Sequence, residues 1–408
     1  METETTDQPN PPETVDAKCI MCHVYFGFSE VEELRPAWEK LLQAVPSATI
    51  FSTWEWLSSW WHAFGDKRQP LFFTALDSEG SLIGLAPLYL ESHRTLLGTR
   101  LKLLRMMGDG TGDSDNLDLP VLPGYEQTFV SAFLDYLKQH ARSWNFARFN
   151  TLPDDTPTAA ALAAALTERR WVWFQEQKPG TVIDLPNDWE TFRKQLSYNE
   201  RGQLGKYTRR AERNYKVTVR KCDSETQLQS DLAVFFDLHR RRWEAVGKPG
   251  SFRLPARRNF YKELSSLILS RQWLDVWMLE LDGKPVASEF DVRYRNTVYS
   301  LQVGNDPEHS ADRVGYVLRG YILQQLIREG LHRYDFMGGG ESYKERWASR
   351  VRSYNNIAFG RPRTRGSCYL LVLHRAIEAK EWVRRHAPVR IWSVLHFIRV
   401  QVKKIRRR

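Results

Sequence analysis

The sequence predicts an α+β fold of mixed sheets covered by helices, arranged as two tandem domains on one plan and followed by a basic helical appendage. Three observations carry this. Segments of strand composition alternate with amphipathic helical runs along most of the 408 residues. The order helix, helix, hairpin, helix, strand occurs on each side of Pro186. Hydrophobic residues make up 42% and aromatics 12%, enough to fill a large core, which excludes a disordered or fibrous chain. The expected units are a polar tail at 1–17, a first domain at 18–185, a second at 186–360 and a tail at 361–408.

Each element has its own warrant. CIMCHVYFGFS at 19–29 has strand composition, and 31–45 has helical spacing, with Leu34, Trp38, Leu41, Leu42 and Val45 on one stripe. A second helix spans 52–65: Ser52 or Thr53 caps it, Gly65 ends it, and Trp56, Trp60, Trp61 and Phe64 share a face. Strands at 71–76 and 82–90 flank the turn DSEG, and GDGTGDSDNLDLP at 108–120 is a loop by composition. A helix at 127–141, a strand at 146–152 and a helix at 158–170 follow. The segment 172–185 reads as strand, turn, strand around KPG. In the second block, helices are expected at 189–214, 228–246 and 257–271, with a strand at 215–222. Strands across 274–304 turn at Asp282-Gly283 and Arg295-Asn296; a helix at 314–330, the strand HRYDFMGG and a short helix at YKERWAS close the block.

Charge is distributed unevenly. The net +10 comes from residues 361–408, which hold 14 Lys/Arg and 2 Asp/Glu; the other 360 residues hold 45 basic and 47 acidic side chains. Four scattered cysteines do not make a disulfide framework. No apolar run approaches 18 residues, and the first 17 residues hold five Asp/Glu and no Lys/Arg, unlike a secretory signal. The expected location is the cytoplasm, with the tail at the inner membrane surface. There, Val389, Trp392, Leu395, Ile398 and Val402 recur at helical spacing among Arg and Lys, as in an interfacial anchor. Docking on the protein's own body or on a partner is the alternative.

Four segments, spread over roughly 45–360, carry a resemblance: FSTWEWLSSWWHAFG; LSYNERGQLGKYTRRAERN; DGKPVASEFDVRYRNTVYSLQVGNDPEHSADRVGYVLRGYILQQLIREG; and HRYDFMGGGESYKERWA. In this order and spacing the chain resembles the Gcn5-related N-acetyltransferase superfamily, in the branch of the CelD-like proteins of cellulose and exopolysaccharide operons. The FemAB peptidoglycan aminoacyltransferases are more distant relatives. Both domains would then be acetyltransferase-like, with acetyl-CoA (an acyl-CoA) as co-substrate and no metal.

The residues support a carrier site on their own terms. A strand to Gly304, the polar loop NDPEHSADR and a helix from Val314 place free amides, a helix dipole and Arg313 where a diphosphate would be held. Arg313, Val314, Gly315 and Tyr316 are the predicted binding residues. Gly315 fits the first glycine of the superfamily's loop, while Asp312 and Val317 depart from it at the flanking positions. The alternative is an ordinary strand-to-helix turn.

Asp335 is a charged residue inside an apolar strand, either paired or functional. The resemblance implies that Asp335 takes a proton from the acceptor, that Tyr343 protonates the departing thiolate and that Lys344 binds an anionic group. Glu289, which shares a strand face with Asp291, is the second candidate base; a solvated face is its alternative. Asp113 and Asp115 are candidates for meeting a cationic acceptor, and Trp56 (or Trp54) for stacking on a sugar. Core or solvated roles are the alternatives.

Three other signals are weaker. CIMCH matches a haem-attachment pattern and offers Cys19, Cys22 and His23 to zinc, but ordinary strand residues explain it. GDGTGDSDNLDL lacks the third ligand and distal Glu of a calcium loop. Ten Lys/Arg within 193–221 would suit tRNA phosphates, or a solvated helix face. The expected activity is therefore transfer of an acetyl group to an amine or hydroxyl of a small-molecule or saccharide acceptor, in polysaccharide or cell-envelope synthesis. The alternatives are aminoacyl transfer from tRNA and a non-catalytic, membrane-associated accessory of a polysaccharide synthase.

Overall fold

The computed structural model describes residues 20–95, 98–339, 342–347 and 350–386. The polar tail, Cys19 and the segment 389–408 with its membrane expectation lie outside them. The first block runs β1 (Met21–Tyr25), α1 (Phe28–Val31), α2 (Arg35–Ala44), α3 (Trp54–Phe64), β2 (Gln69–Leu76), β3 (Leu82–Arg94) and β4 (Arg100–Met106). It continues with α4 (Glu126–Gln139), β5 (Phe146–Pro153), α5 (Pro157–Glu168) and β6 (Val172–Asp184). The second runs α6 (Trp189–Gln195), α7 (Tyr198–Asn214), β7 (Val217–Lys221), α8 (Glu225–Glu244), α9 (Pro255–Leu269), β8 (Leu274–Leu281), β9 (Lys284–Tyr294) and β10 (Thr297–Asn305). Then come α10 (Val314–Arg328), β11 (Arg333–Gly338), α11 (Ser342–Glu345), β12 (Arg350–Gly360) and α12 (Arg365–His386).

All twelve strands form one mixed sheet, in the order β1-β2-β3-β4-β5-β12-β6-β11-β10-β9-β8-β7. The fold is the expected α+β arrangement, and the two halves follow one plan. In each, a long helix joins two strands that run parallel for only three rungs: Leu103–Arg105 against Phe146–Arg148, and Thr297–Tyr299 against Arg333–Asp335. Beyond those rungs each pair splays into a wedge.

The halves are joined more intimately than separate domains would be. β12, from the end of the second block, inserts between β5 and β6, while β6, from the end of the first, pairs with β11. One apolar core also crosses the seam, where Trp56 packs edge-on to Phe260 and Phe51 to Tyr299. A second core lies under α10, between β8–β11 and α6–α7.

The predicted turn at KPG is absent. β6 is continuous and pairs with β12 from Val172 to Val182. Gly180 serves packing instead, since a Cβ there would lie 2.2 Å from Cε2 of Tyr354, whose ring crosses the strand. Thr53 caps α3, accepting from the amide of Trp56 as expected.

Candidate functional site

The second half's wedge is shaped by backbone irregularities. β10 pairs with β9 as far as Asn305 but with β11 only to Tyr299, so the edge facing β11 is unpaired from Ser300 onward. The register slips between Ser300 and Gln302, a bulge that re-aims the strand. At Gly304 the strand meets α8 so closely that a Cβ would stand 2.5 Å from the amide nitrogen of His239. Only glycine permits that approach.

Residues 306–313 then reverse the chain. The Asp306 carboxylate accepts from the amide of Glu308 (3.0 Å) and pairs with Arg241 (2.5 Å). Arg313 adopts a left-handed conformation (φ +51°), and α10 begins without a side-chain cap. The amides of Tyr316 and Val317 donate to the Arg313 carbonyl at 2.8 and 3.1 Å; among the described residues those of Val314 and Gly315 have no protein acceptor.

A cavity of about 340 Å³ opens before these amides, between Val303 and Asn305 of β10, the turn at His309–Ser310, α10 and Trp347. Four guanidinium groups border it. Arg242 donates to the Val303 carbonyl (2.9 Å), Arg313 to Gln203 (2.7 Å), and Arg346 lies 3.9 Å from Glu200. Arg319 is held by Glu289 at 2.8 Å. A Cβ on Gly315 would find no atom nearer than 4.0 Å, so the space above it is left open by the protein. Unused amides, a helix N-terminus and cations are what a phosphate or diphosphate requires. The predicted carrier-binding residues Arg313, Val314, Gly315 and Tyr316 thus meet at one cavity. Tyr316 stacks near Trp347 and donates its hydroxyl to Glu200 (2.9 Å).

The predicted catalytic residues are placed differently. Asp335 occupies the last parallel rung, opposite Tyr299, and is fully buried. It accepts from the amide of Met337 (2.7 Å) and from Asn116 (3.2 Å), with the Tyr354 hydroxyl at 3.5 Å; burial raises its pKa. Closed in this way, it is not an open proton acceptor for an incoming amine. It pins the 108–118 loop and β12 to the apex of the wedge.

Glu289 requires a similar correction. It shares a face with Asp291, as the alternation predicts, but that face lies beneath α10 and is fully buried. One Glu289 oxygen accepts from Arg319, Ser300 (2.9 Å) and Tyr334, fixing Arg319 at the cavity wall. Burial and the neighbouring Glu289 charge push the Asp291 carboxyl well above its ordinary range. Lys344 donates to the Gly338 carbonyl at 2.9 Å, beside Asp115. Tyr343 lies on α11, its side chain outside the described residues.

The predicted acceptor-binding residues are also used internally. Trp56 is fully buried, its indole N–H donating to Ser114 (2.9 Å), so no face is left for a sugar. Trp54 is half-buried, edge-on to Phe28 and Trp38. Asp113 pairs with Arg257 (3.0 Å) and accepts from Tyr261 (3.2 Å); burial raises its pKa to about 6. Asp115 accepts from the amide of Gly338 (2.7 Å). The loop thereby binds α9 through Asp113, and β11 through Asp115 and Asn116. Its flanks run along β3 where β4 has ended, with Met107, Leu85 and Leu122 donating to the carbonyls of Pro87, Pro120 and Ile83, and Asp109 lies between β3 and β5, accepting from Tyr89 (3.1 Å) and Asn150 (2.9 Å), so the loop occupies the first wedge.

Sequence reasoning missed Arg242, Arg319, Arg346 and Trp347 at the cavity, and Asn116, Arg352 and Tyr354 at the seam. Arg242 lies in the run HRRRW at 239–243, Arg346 and Trp347 in YKERW at 343–347, and Arg319 in α10, and no local pattern shows which arginine faces inward. Cys22 and His23 are exposed on edge strand β1, opposite Ala75 and Thr74. No group of three or more His, Cys, Asp or Glu able to hold a metal occurs among the described residues. In the basic segment, Arg193, Arg210, Arg220 and Lys221 are engaged in ion pairs with Glu190, Asp312, Asp231 and Asp275.

The splayed parallel strands joined by a helix with free N-terminal amides define a GNAT-like acyltransferase fold. Residues 199–345 match the family model described as an acetyltransferase (GNAT) domain. Among solved structures the chain is similar to FemX, with 10% identity, TM-score 0.58, and 79% of this chain and 95% of that one covered. It is similar to a conserved protein of unknown function from Bacteroides thetaiotaomicron VPI-5482, at 13% identity and TM-score 0.53, covering 80% and 97%. A third is the C-terminal domain of a lysylphosphatidylglycerol synthetase, described there as putative, from Agrobacterium fabrum, at 11% identity and TM-score 0.50, covering 85% and 96%. At such identities the likeness concerns the fold. No curated protein matches the chain.

Proposed function

We propose that this chain is an acyltransferase whose second half binds acyl-CoA, acetyl-CoA being the simplest donor, and passes the acyl group to an amine or hydroxyl. The observation that carries this is the cavity at the start of α10. There, the unused amides of Val314 and Gly315 face a space bordered by Arg242, Arg313, Arg319 and Arg346. The amides would hold the diphosphate, and the unpaired edge of β10 beyond Tyr299 would take the pantetheine arm. The bound carrier supplies an activated thioester carbonyl. Around it, Glu289 keeps Arg319 oriented, while Asp335, Asn116 and Asp115 hold the apex closed on the side of the first half.

The CelD-like assignment, the polysaccharide acceptor and a membrane-bound tail at 389–408 belong to this reading through sequence resemblance and tail composition. The last would be seen as sedimentation with anionic vesicles. Calorimetry with acetyl-CoA tests the core of the proposal. Saturable binding is expected, weakened about tenfold or more by Arg313→Ala, because a charge-assisted contact is lost. No binding up to roughly millimolar acetyl-CoA, or equal binding by the variant, overturns it.

A second reading, aminoacyl transfer from tRNA, is favoured by the basic α7 beside the cavity, where Tyr207 and Gln203 contact Arg313 while Arg209 and Arg213 remain exposed. Salt-sensitive retention of aminoacyl-tRNA, with no response to acetyl-CoA, would select it.

A further inference from the structure

The last helix, α12, leaves the body with an apolar side uncovered. Its first turn is locked in place, because a Cβ on Gly366 would collide with the Asn145 carbonyl and only glycine lets the helix start there. Leu370 is buried with Leu101, Leu103 and Phe146, and one turn on the His374 ring stacks on Phe174 at 3.9 Å. From Arg375 onward every described side chain is exposed except the half-buried Val383. At 3.6 residues per turn, Leu371, Val372, Ala376, Ala379, Trp382 and Val383 fall within an arc of about 140°, on the side away from Leu370 and His374. Val372 and Trp382 are 69% and 63% exposed. Arg375, the arginine inside the arc, is paired with Glu378 at 3.1 Å. Apolar residues thus occupy two sides of α12, one sealed on the body and one open to solvent. A contiguous apolar face of this kind marks a contact.

Charge decides what covers it. Residues 361–408 hold 14 Lys/Arg against 2 Asp/Glu, a local +12. The two acids are Glu378 and Glu381, and neighbours on α12 neutralise both: His374 (3.3 Å) and Arg375 face Glu378, and Arg385 (3.8 Å) faces Glu381. A second copy laid on this face would bring two such basic segments together. Folding residues 389–408 back onto it would set their 7 Lys/Arg beside the same basic helix. Like charge opposes both arrangements. An anionic bilayer surface instead offers opposite charge above an apolar interior, and so meets both properties of α12. No helix among the described residues is long and apolar enough to cross a membrane, so the contact is one that lies along the surface.

We propose that the outward arc of α12 rests on a bilayer of anionic phospholipid, with Val372 and Trp382 at the boundary of headgroups and acyl chains and the basic groups of 361–408 over the headgroups. The contact is thereby placed on a helix of the structure, ahead of the segment 389–408 that tail composition singles out. It does not depend on acyl transfer. Because α12 packs on β5, β6 and β12, the strands that join the two halves, the seam of the molecule is held close to the membrane.

The test is sedimentation of the full chain with vesicles of phosphatidylcholine alone and of phosphatidylcholine mixed with phosphatidylglycerol. The expected result is saturable binding to the mixed vesicles, weakened roughly tenfold or more by the double substitution Val372→Ser and Trp382→Ser, because two apolar side chains no longer leave water. Ile377→Ser is the control: Ile377 is 49% exposed on the same helix but lies outside the arc, and its loss should leave binding unchanged. Should the double variant fold poorly, each single substitution decides. Binding unchanged in the double variant, or weakened equally by Ile377→Ser, overturns the assignment to α12 and leaves a membrane role for 389–408 standing. No binding of the wild-type chain overturns both. A dimer in sedimentation equilibrium that the double variant dissociates would give the face to a second copy instead. Acetyl-CoA calorimetry is indifferent to each of these outcomes, so the acyltransferase reading stands or fails separately.

Discussion

Replacing Gly304 by alanine should damage the protein in a way that replacing Gly315 does not, and the contrast follows from distances. A Cβ at Gly304 would stand 2.5 Å from the amide nitrogen of His239 and 2.9 Å from both the carbonyl carbon and Cβ of Leu238. Two of these three atoms are helix backbone, so no side chain can rotate away. Either α8 retreats by about 1 Å or β10 bends into the wedge; overpacking of this kind costs roughly 1–3 kcal/mol. A Cβ at Gly315 would have nothing nearer than 4.0 Å, so alanine there is tolerated and gains up to about 1 kcal/mol from the less flexible unfolded chain. Yet its methyl group occupies the face where the carrier is proposed to lie. Urea unfolding combined with acetyl-CoA calorimetry separates the two. Gly304→Ala should lose stability, while Gly315→Ala should keep stability and lose affinity. Equal stability of Gly304→Ala and wild type would refute the claim that α8 and β10 are locked together there.

Two further outcomes are expected. Asn116→Ala removes one donor from buried Asp335 and should cost about 1–3 kcal/mol in unfolding free energy, because the carboxylate loses a partner it cannot replace with bulk water; an unchanged midpoint would show that the loop is not pinned there. The second concerns pH. Burial raises the Asp118 pKa from 3.8 to about 6 although Thr158, the Leu119 amide and Ser47 donate to it. The protonated form therefore favours the folded state: its contribution is complete below about pH 4 and lost as pH rises through about 6, on the order of 2–3 kcal/mol. Asp118→Asn should flatten that part of the stability profile relative to wild type, and identical slopes would contradict this.

Much of the fold was legible because local signals agreed with the final structure. The aromatic stripe of α3, the Thr53 cap and the turns at Asp282-Gly283 and Arg295-Asn296 all appear where residue chemistry puts them. Two strands were missed. β4, RLKLLRM, buries both faces, Leu101 and Leu103 against Phe146 and Leu370 and Leu104 and Met106 in the main core, so it shows no clean alternation, and it is short and basic. β12, RVRSYNNIAFG, reads as polar because its pairing is settled by distant partners, β5 and β6. The same remoteness explains the turn predicted at KPG, since Gly180 accommodates a tyrosine 174 positions later in the chain.

At the site, the cavity at the start of α10 was legible because a strand, a polar loop, a glycine and a helix start are contiguous. Asp335, Glu289, Asp113 and Trp56 were recognised as unusual, but their partners, Asn116, Arg319, Arg257 and Ser114, are brought to them only by the fold. A buried carboxylate and an exposed one look the same in a sequence.

The most direct test of the central claim is to locate acetyl-CoA on the protein by soaking it into crystals. The account predicts diphosphate oxygens within hydrogen-bonding distance of the Val314 and Gly315 amides, the arm along β10 beyond Tyr299, and no carrier in the first half, where the 108–118 loop fills the corresponding space. A carrier bound elsewhere, or β10 and β11 zipped together past Asp335, would contradict it.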